Sequence, residues 1–515
     1  MASRTRSFFL NFLSLTVTAL IIRGVGVAFN VYVSNTAGAE AMGLYSLLGG
    51  IYAFSLTLGC AGINLGTTRA VSDAMGVGDT GLALQTAKKA LVCAVVSSLA
   101  ATVLLFGFSG VIGERILGDV RVVRPLKILS LSLVPVSVCS CLSGYFTAVK
   151  RVRASSVIQI ALQGAKILLT VIFLEKLIDK GAEFACIALV LGAVLSEFLS
   201  LCAVYALYKY DTKNKLKVKT DGIAPYDGIT KKLLSITLPV TFSACVRSGL
   251  TTIQHVLIPK GLKASGKSWS AALASYGTLH SMVMPLILFP SAFITSFSGL
   301  LIPEVTECRV QGDYTRLERI AYRILTLSLI FSIGCSGIII FFSYGLGITV
   351  YNSEEAAYYI KIMAPLIPIM YIDSAVDAIL KGMGHEVYSM NVNIADALTA
   401  CLFALFLIPK MGLMGYVISI YATEMLNTLL SLWKMLSVTK MKFKIFHQIL
   451  MPVLCILGAT NSAYFVLKIF DIKGDVFDLV LHILLSIFFY IAFLYITKTI
   501  GRDEREVFFF ALKRD

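Results

Sequence analysis

Eight ionisable residues sit deep in otherwise apolar stretches of this chain: Arg23, Lys166, Glu197, Arg247, Asp373, Asp377, Asp396 and Glu424. A charge at the centre of a lipid-embedded helix costs about 2.5–3.5 kcal/mol on insertion scales, so such groups usually face a bundle interior or a wet cavity. Arg23 and Arg247 are the sharpest pair. Two guanidinium groups facing one another would repel unless an anion lay between them. A diphosphate supplies that charge and accepts bidentate hydrogen bonds. The alternative is that each arginine pairs with a carboxylate and locks helices together. Lys166 could extend the basic surface or neutralise Glu197.

Asp373 and Asp377 are four residues apart and share one helical face, which suits a proton or cation site. Asn393 and Asp396, three apart, could add oxygen ligands for sodium. Hydration of Asp373, or pairing of Asp396 with Lys381, would be structural alternatives. Glu197 and Glu424 recur at matching places, and duplication favours a packing role for them.

Elements able to carry these groups must be membrane helices. The chain of 515 residues is 57% hydrophobic and only 15% charged, with a mean hydropathy of +0.82. A soluble domain typically carries about 25% charged residues. The apolar residues fall in about fourteen blocks, each near the roughly 20 residues a spanning helix needs. They run 8–34, 41–68, 88–110, 126–148, 154–175, 184–208, 231–257, 271–301, 319–343, 356–381, 387–409, 412–436, 445–468 and 476–498. The expected fold is therefore an all-α polytopic membrane protein.

The net charge of +15 could suggest nucleic acid, but the basic clusters occupy alternate loops. Lys150-Arg151-Val152-Arg153, the run from Lys209 to Lys219, and Lys440-Met441-Lys442-Phe443-Lys444 all fall on one side if the N-terminus is cytoplasmic. That pattern follows the positive-inside rule, with anionic lipid as the partner and both termini inside. The eleven cysteines are scattered, and neither they nor the five histidines show metal-ligand spacing. No cofactor and no enzymatic activity are expected. An ATP-binding loop of the GxxxxGK[ST] type is expected to be absent.

The chain also contains itself twice. Val71-Ser72 and Gly78-Asp79 match Val305-Thr306 and Gly312-Asp313 at an offset of 234. Lys127 matches Lys361, and Val157-Ile158-Gln159-Ile160 matches Asn391-Val392-Asn393-Ile394, at the same offset. Arg23-Gly24 matches Arg247-Ser248, and Ser196-Glu197 matches Thr423-Glu424, at slightly smaller offsets. Six-helix repeats of like orientation imply lobes related by an axis along the membrane normal. The expected organisation is an N-lobe at 1–208, a basic cytoplasmic linker at 209–230, a C-lobe at 231–436, and two added helices with a tail at 437–515. Prolines in the fourth, eighth and tenth blocks predict kinks.

Two stretches carry a family resemblance. Gly38-Ala39-Glu40-Ala41-Met42-Gly43-Leu44-Tyr45 lies between the first two blocks. Gly62-Ile63-Asn64 through Arg69-Ala70-Val71-Ser72 ends the second. With the repeat and linker, they make the chain resemble the multidrug/oligosaccharidyl-lipid/polysaccharide exporter superfamily, on its stage V sporulation and polysaccharide-biosynthesis branch. The resemblance implies a central cavity, alternating access by rocking lobes, and a lipid-linked saccharide as cargo. It assigns diphosphate contacts to Arg23 and Arg69, and sodium coupling to Asn393 and Asp396. The same fold also includes cation-coupled multidrug exporters. A membrane-embedded glycosyltransferase and a non-transporting envelope or spore assembly factor are the other readings, and the oligomeric state stays open.

Overall fold

A computed structural model of the chain describes residues 2–76, 79–149, 151–214, 228–441, 446–470, 475–497 and 499. Several expected features lie outside them: most of the basic linker (215–227), Lys150, Lys442-Phe443-Lys444, and the tail with Lys513 and Arg514.

The first half consists of α1 (Ala2–Cys60), α2 (Ile63–Gly76), α3 (Thr80–Gly110), α4 (Val123–Ser130), α5 (Leu133–Ala148), α6 (Val152–Leu177) and α7 (Ala182–Asn214). The second begins with α8 (Ile229–Ala264), α9 (Trp269–Gly277), α10 (Met284–Leu288), α11 (Ser291–Gln311), α12 (Tyr314–Phe341) and the single turn α13 (Ser343–Gly345). It continues through α14 (Glu354–Met363), α15 (Ile367–Gly382), α16 (Glu386–Phe406), α17 (Ile408–Thr439), α18 (Met451–Phe470) and α19 (Asp475–Ile496). Among the described residues there is no strand. Lipid explains this: a backbone without water must satisfy its polar groups within each segment.

The chain is an all-α, multi-pass membrane protein. Eleven helices are long and apolar enough to cross a bilayer, or twelve if the bent α4–α5 pair is one span. One of these, Leu20–Gly76, is 57 residues long and carries the first two predicted blocks. It leaves helical geometry at Gly38 (φ 80°, ψ 165°), a conformation that glycine adopts without steric cost.

The repeat is written into the backbone hydrogen bonds at the 234-residue shift. Asp79 Oδ1 accepts from the amide of Leu82 at 2.8 Å, and Asp313 Oδ1 from that of Arg316 at 2.9 Å, so each carboxylate caps the helix it precedes. A π-helical segment at Val111–Leu117 corresponds to another at Leu346–Val350. Each leads into a left-handed residue, Gly118 (φ 71°) and Asn352 (φ 48°). The amide of Asp119 then donates to Gly113 O at 2.9 Å, and that of Ser353 to Gly347 O at 3.1 Å.

The proline-associated breaks also recur. α4 and α5 are interrupted after Ser130, and α14 and α15 by a 3-10 turn at Ala364–Leu366. A break frees carbonyls, and both halves use a hydroxyl to satisfy one. Ser336 Oγ donates to Ala364 O at 2.9 Å, and Thr102 Oγ1, which donates to Ser98 O at 2.8 Å, has Ser130 O at 3.3 Å as a second acceptor. Again the shift is 234 at both ends.

The chain forms two compact units, drawn differently from the sequence repeat. One comprises residues 1–35 and 278–515, the other residues 36–277. The units divide the chain at positions other than the expected lobe boundaries. In the first unit the two added helices pack on α12. The Tyr490 hydroxyl donates to Ile330 O at 2.7 Å, and the Tyr490 ring covers Gly334. In the second unit α8 runs along α1, with Thr252 Oγ1 donating to Gly50 O at 2.8 Å and Ser248 accepting from Thr57 at 3.2 Å.

Candidate functional site

Arg23 belongs to the first unit. Pro290 lacks an amide and separates α10 from α11, which leaves carbonyls free at the break. Arg23 Nη1 donates to Leu288 O at 2.8 Å and to Ser291 Oγ. Among the described residues no carboxylate lies within ion-pair distance of it, and both of its hydrogen bonds to them run through Nη1. Neither sequence alternative anticipated this arrangement. The guanidinium caps a broken helix and keeps donors to spare.

Arg247 belongs to the second unit, on α8. Its side chain is exposed and makes no ion pair with a described residue. The neighbouring Ser248, Thr252 and His255 pack against α1. Phe242, Val246 and Ile253 form an exposed apolar face. Ser243, Arg247, Thr251 and Gln254 fall at i, i+4, i+8 and i+11 on a third, polar face. Arg23 and Arg247 lie in different units, so their meeting across one anion is not something either unit contains by itself. Arg69 on α2 is exposed and makes no ion pair with a described residue. Lys166 on α6 is within electrostatic reach of Glu197 on α7, without contact.

The acidic candidates converge in the first unit. Asp373 on α15 lies within electrostatic reach of Asp377 and Asp396, while the nearby Ser431 hydroxyl donates to Asn427 Oδ1. Its Oδ1 is buried and has no hydrogen-bond partner. Asp377 is separately engaged: it forms an ion pair with Lys381 and accepts from Ser389 Oγ. Lys381 therefore serves Asp377, and the alternative pairing with Asp396 is not formed. Asn393 Nδ2 donates back to Ser389 O at 2.8 Å, one turn earlier in α16.

Glu424 on α17 completes the cluster, interacting electrostatically with Asp396 and Asp373. Sequence reasoning gave it a packing role because Glu197 duplicates it. The available signal was the run Glu424, Asn427, Thr428 and Ser431, which puts four polar residues on one helical face at i, i+3, i+4 and i+7. Asn427, Thr428 and Ser431 are buried. Among the described residues no three His, Cys, Asp or Glu side chains are close enough to hold a metal ion. The cluster is a group of acids in electrostatic contact and not a closed chelate.

One sequence expectation is corrected. Gly261-Leu262-Lys263-Ala264-Ser265-Gly266-Lys267-Ser268 does match the GxxxxGK[ST] spacing. Its context does not fit nucleotide binding, which requires a strand before the loop. Gly261 to Ala264 are the last turn of α8, and Lys267 Nζ donates to Ser275 Oγ at 2.6 Å. The string is a helix end.

Comparison with known proteins agrees with this architecture. The family model described as "Polysaccharide biosynthesis protein" matches residues 8–308, and the MatE model matches residues 265–406. Stage V sporulation protein B of Bacillus subtilis (strain 168) is 27% identical over 468 residues, 89% of each chain. Lipid II flippase MurJ of the same organism is 23% identical over 326 residues, 59% of each. Two solved structures share the fold. One is a lipid II flippase MurJ in an inward closed conformation (TM-score 0.69, 14% identity, 95% of this chain and 99% of that one). The other is an inward-facing multidrug resistance MATE family transporter (TM-score 0.65, 15% identity, 84% and 98%). Of these proteins, MurJ is a lipid II flippase and the MATE protein a transporter. With more than half its length matched, the chain belongs to the polysaccharide biosynthesis protein family.

Proposed function

We propose that the protein is a flippase that moves a lipid-linked saccharide, a polysaccharide or peptidoglycan precursor, across the cell membrane by alternating access. The observation that carries this reading is Arg23. It is a guanidinium in an apolar helix with no carboxylate partner among the described residues, yet with donors free to bind a diphosphate. Arg247, Arg69 and Lys166 would add positive charge along the path while the polyprenyl tail stays in lipid. The basic loops orient both termini toward the cytoplasm. Asp373, Asp396 and Glu424, with Asp377 and Asn393 alongside, would couple transport to a cation gradient. Clustered carboxylates are best relieved by a proton or a monovalent ion.

The same acids favour a second reading, a cation-coupled exporter of cationic drugs, in line with the MatE match to residues 265–406. An assembly factor without transport activity is the third. Depletion separates them. A flippase leaves a lipid-linked saccharide accumulating in the inner leaflet. A drug exporter leaves lipid intermediates unchanged and cationic dyes retained, and an assembly factor does neither.

A further inference from the structure

Two glycines meet where no side chain would fit. A Cβ built on Gly43 would overlap the Leu273 carbonyl, and one built on Gly277 would overlap the Ala39 carbonyl and the Gly43 backbone. α1 and α9 therefore cross backbone to backbone, each through a pair of positions one turn apart: Ala39 and Gly43, and Leu273 and Gly277. Small residues at this spacing are what let membrane helices approach so closely.

The pairing is also reciprocal under the repeat. Shifting 39 and 43 by 234 gives 273 and 277. Gly43 touches Leu273, and its counterpart Gly277 touches the counterpart of Leu273, which is Ala39. A contact in which i meets j while j's equivalent meets i's is isologous, and it can form only about the two-fold axis that relates the copies. The crossing lies just after the break in α1 at Gly38 and at the C-terminal end of α9.

A single carboxylate fastens both partners. Asp119 is 6% exposed. Its Oδ2 accepts from Trp269 Nε1, at the start of α9, at 2.7 Å. It also binds Arg121 through Nε and Nη2, and Arg121 Nη1 reaches Glu40, beside Ala39, at 2.9 Å. The other half lacks this device. The repeat equivalents of Asp119 and Arg121 are Ser353, which caps α14 by accepting from the amide of Ala356, and Glu355.

We propose that the Gly43–Gly277 crossing, fastened through Asp119 to Trp269 and Glu40, is a reversible closure that parts to release cargo on the outer side. It rests on the transport reading, but its conformational test does not depend on the cargo. Spin labels at Arg115→Cys and Ala264→Cys, in a cysteine-free background in lipid nanodiscs, report the separation of the two fastened segments. Two distance populations are expected, and Trp269→Phe, which removes one hydrogen bond, should raise the longer one several-fold. In the chain with its own cysteines, hydrogen exchange over 39–43 and 273–277 should rise together in Trp269→Phe. A single distance unaltered by that substitution, with unchanged exchange, would overturn the closure. Bridging Asp119→Cys to Trp269→Cys with a cleavable thiol reagent should stop transport, and cleavage should restore it. Full transport while bridged would also overturn it. No transport in any variant, with two populations still present, would instead count against the flippase reading.

Discussion

Glu197 and Glu424 occupy the same place in the two copies of the repeat, and their surroundings differ in sign. Glu197 has Lys166 within electrostatic reach, together with the Tyr52 hydroxyl and the Cys139 thiol. Glu424 has Asp396 and Asp373. The 234-residue shift explains the change residue by residue: Cys139 becomes Asp373, Leu162 becomes Asp396, and Lys166 becomes Ala400. One copy keeps its half-buried acid within electrostatic reach of a base. The other removes the base and adds acids. Duplication therefore supplied the scaffold, and divergence at a few positions gathered acids in one half. Cation-linked behaviour is expected to map onto α15–α17 alone.

The largest way to break this comparison is to neutralise one acid in each half. Glu424→Gln or Asp373→Asn should abolish the dependence of transport on an imposed cation gradient. A coupling free energy of about 1–3 kcal/mol corresponds to about 5–150-fold in rate or affinity. Glu197→Gln should leave the gradient dependence intact. Equal losses in both halves would mean that the acids are structural.

A second test sharpens the comparison at the repeated π-turns. A Cβ on Gly347 would overlap the backbone of Ala357, whereas one on Gly113 would meet mainly a Val123 methyl. Overpacking typically costs about 1–3 kcal/mol. Gly347→Ala should approach that upper end in thermal unfolding, and Gly113→Ala should fall below it because a methyl can rotate away. A reversed order would contradict the packing described here.

Smaller effects should be shared where the halves are alike. Thr102→Val and Ser336→Ala each strip the hydroxyl from a freed carbonyl, and each should cost about 0.5–1.5 kcal/mol. The two values should agree within error in thermal unfolding of the purified protein.

The smallest expected effect is a pH dependence confined to one half. Burial alone would raise the Asp119 carboxyl, but hydrogen bonds from Arg121 and Trp269 outweigh it and hold the group below the ordinary carboxylate value. A depressed folded-state value adds stability above the unfolded value, near about 3.9, and that stability is lost as pH falls further. The midpoint of unfolding should be flat from neutral pH to about 4 in this respect and decline below it. Asp119→Asn should be less stable at neutral pH and lack that decline.

Much of this was legible in the sequence because membrane helices and caps are local. Apolar blocks mark the spans. Gly78-Asp79 and Gly312-Asp313 mark the repeat because an aspartate before a helix binds an amide three residues on. The positive-φ residues at Gly118 and Asn352 escaped notice, since one is not glycine and the shared geometry shows only in the backbone. The partner of Arg23 was illegible for another reason. Leu288 and Ser291 are more than 260 positions away, and no spacing rule links residues on helices that meet only in the fold. The acidic surroundings of Glu424 were readable in part. Its duplication in Glu197 drew attention, while the loss of Lys166's counterpart at Ala400 carried the information.

The most direct measurement of the central claim is the flipping rate of a fluorescent saccharide on a polyprenyl diphosphate, in vesicles carrying the intact chain, Arg23→Gln or Arg247→Gln. Charge-assisted hydrogen bonds worth about 1.5–3 kcal/mol correspond to about 10–150-fold. Each substitution should slow head-group translocation by that order while leaving the fold intact. Undiminished flipping in both variants would contradict the anion-binding role of the two arginines.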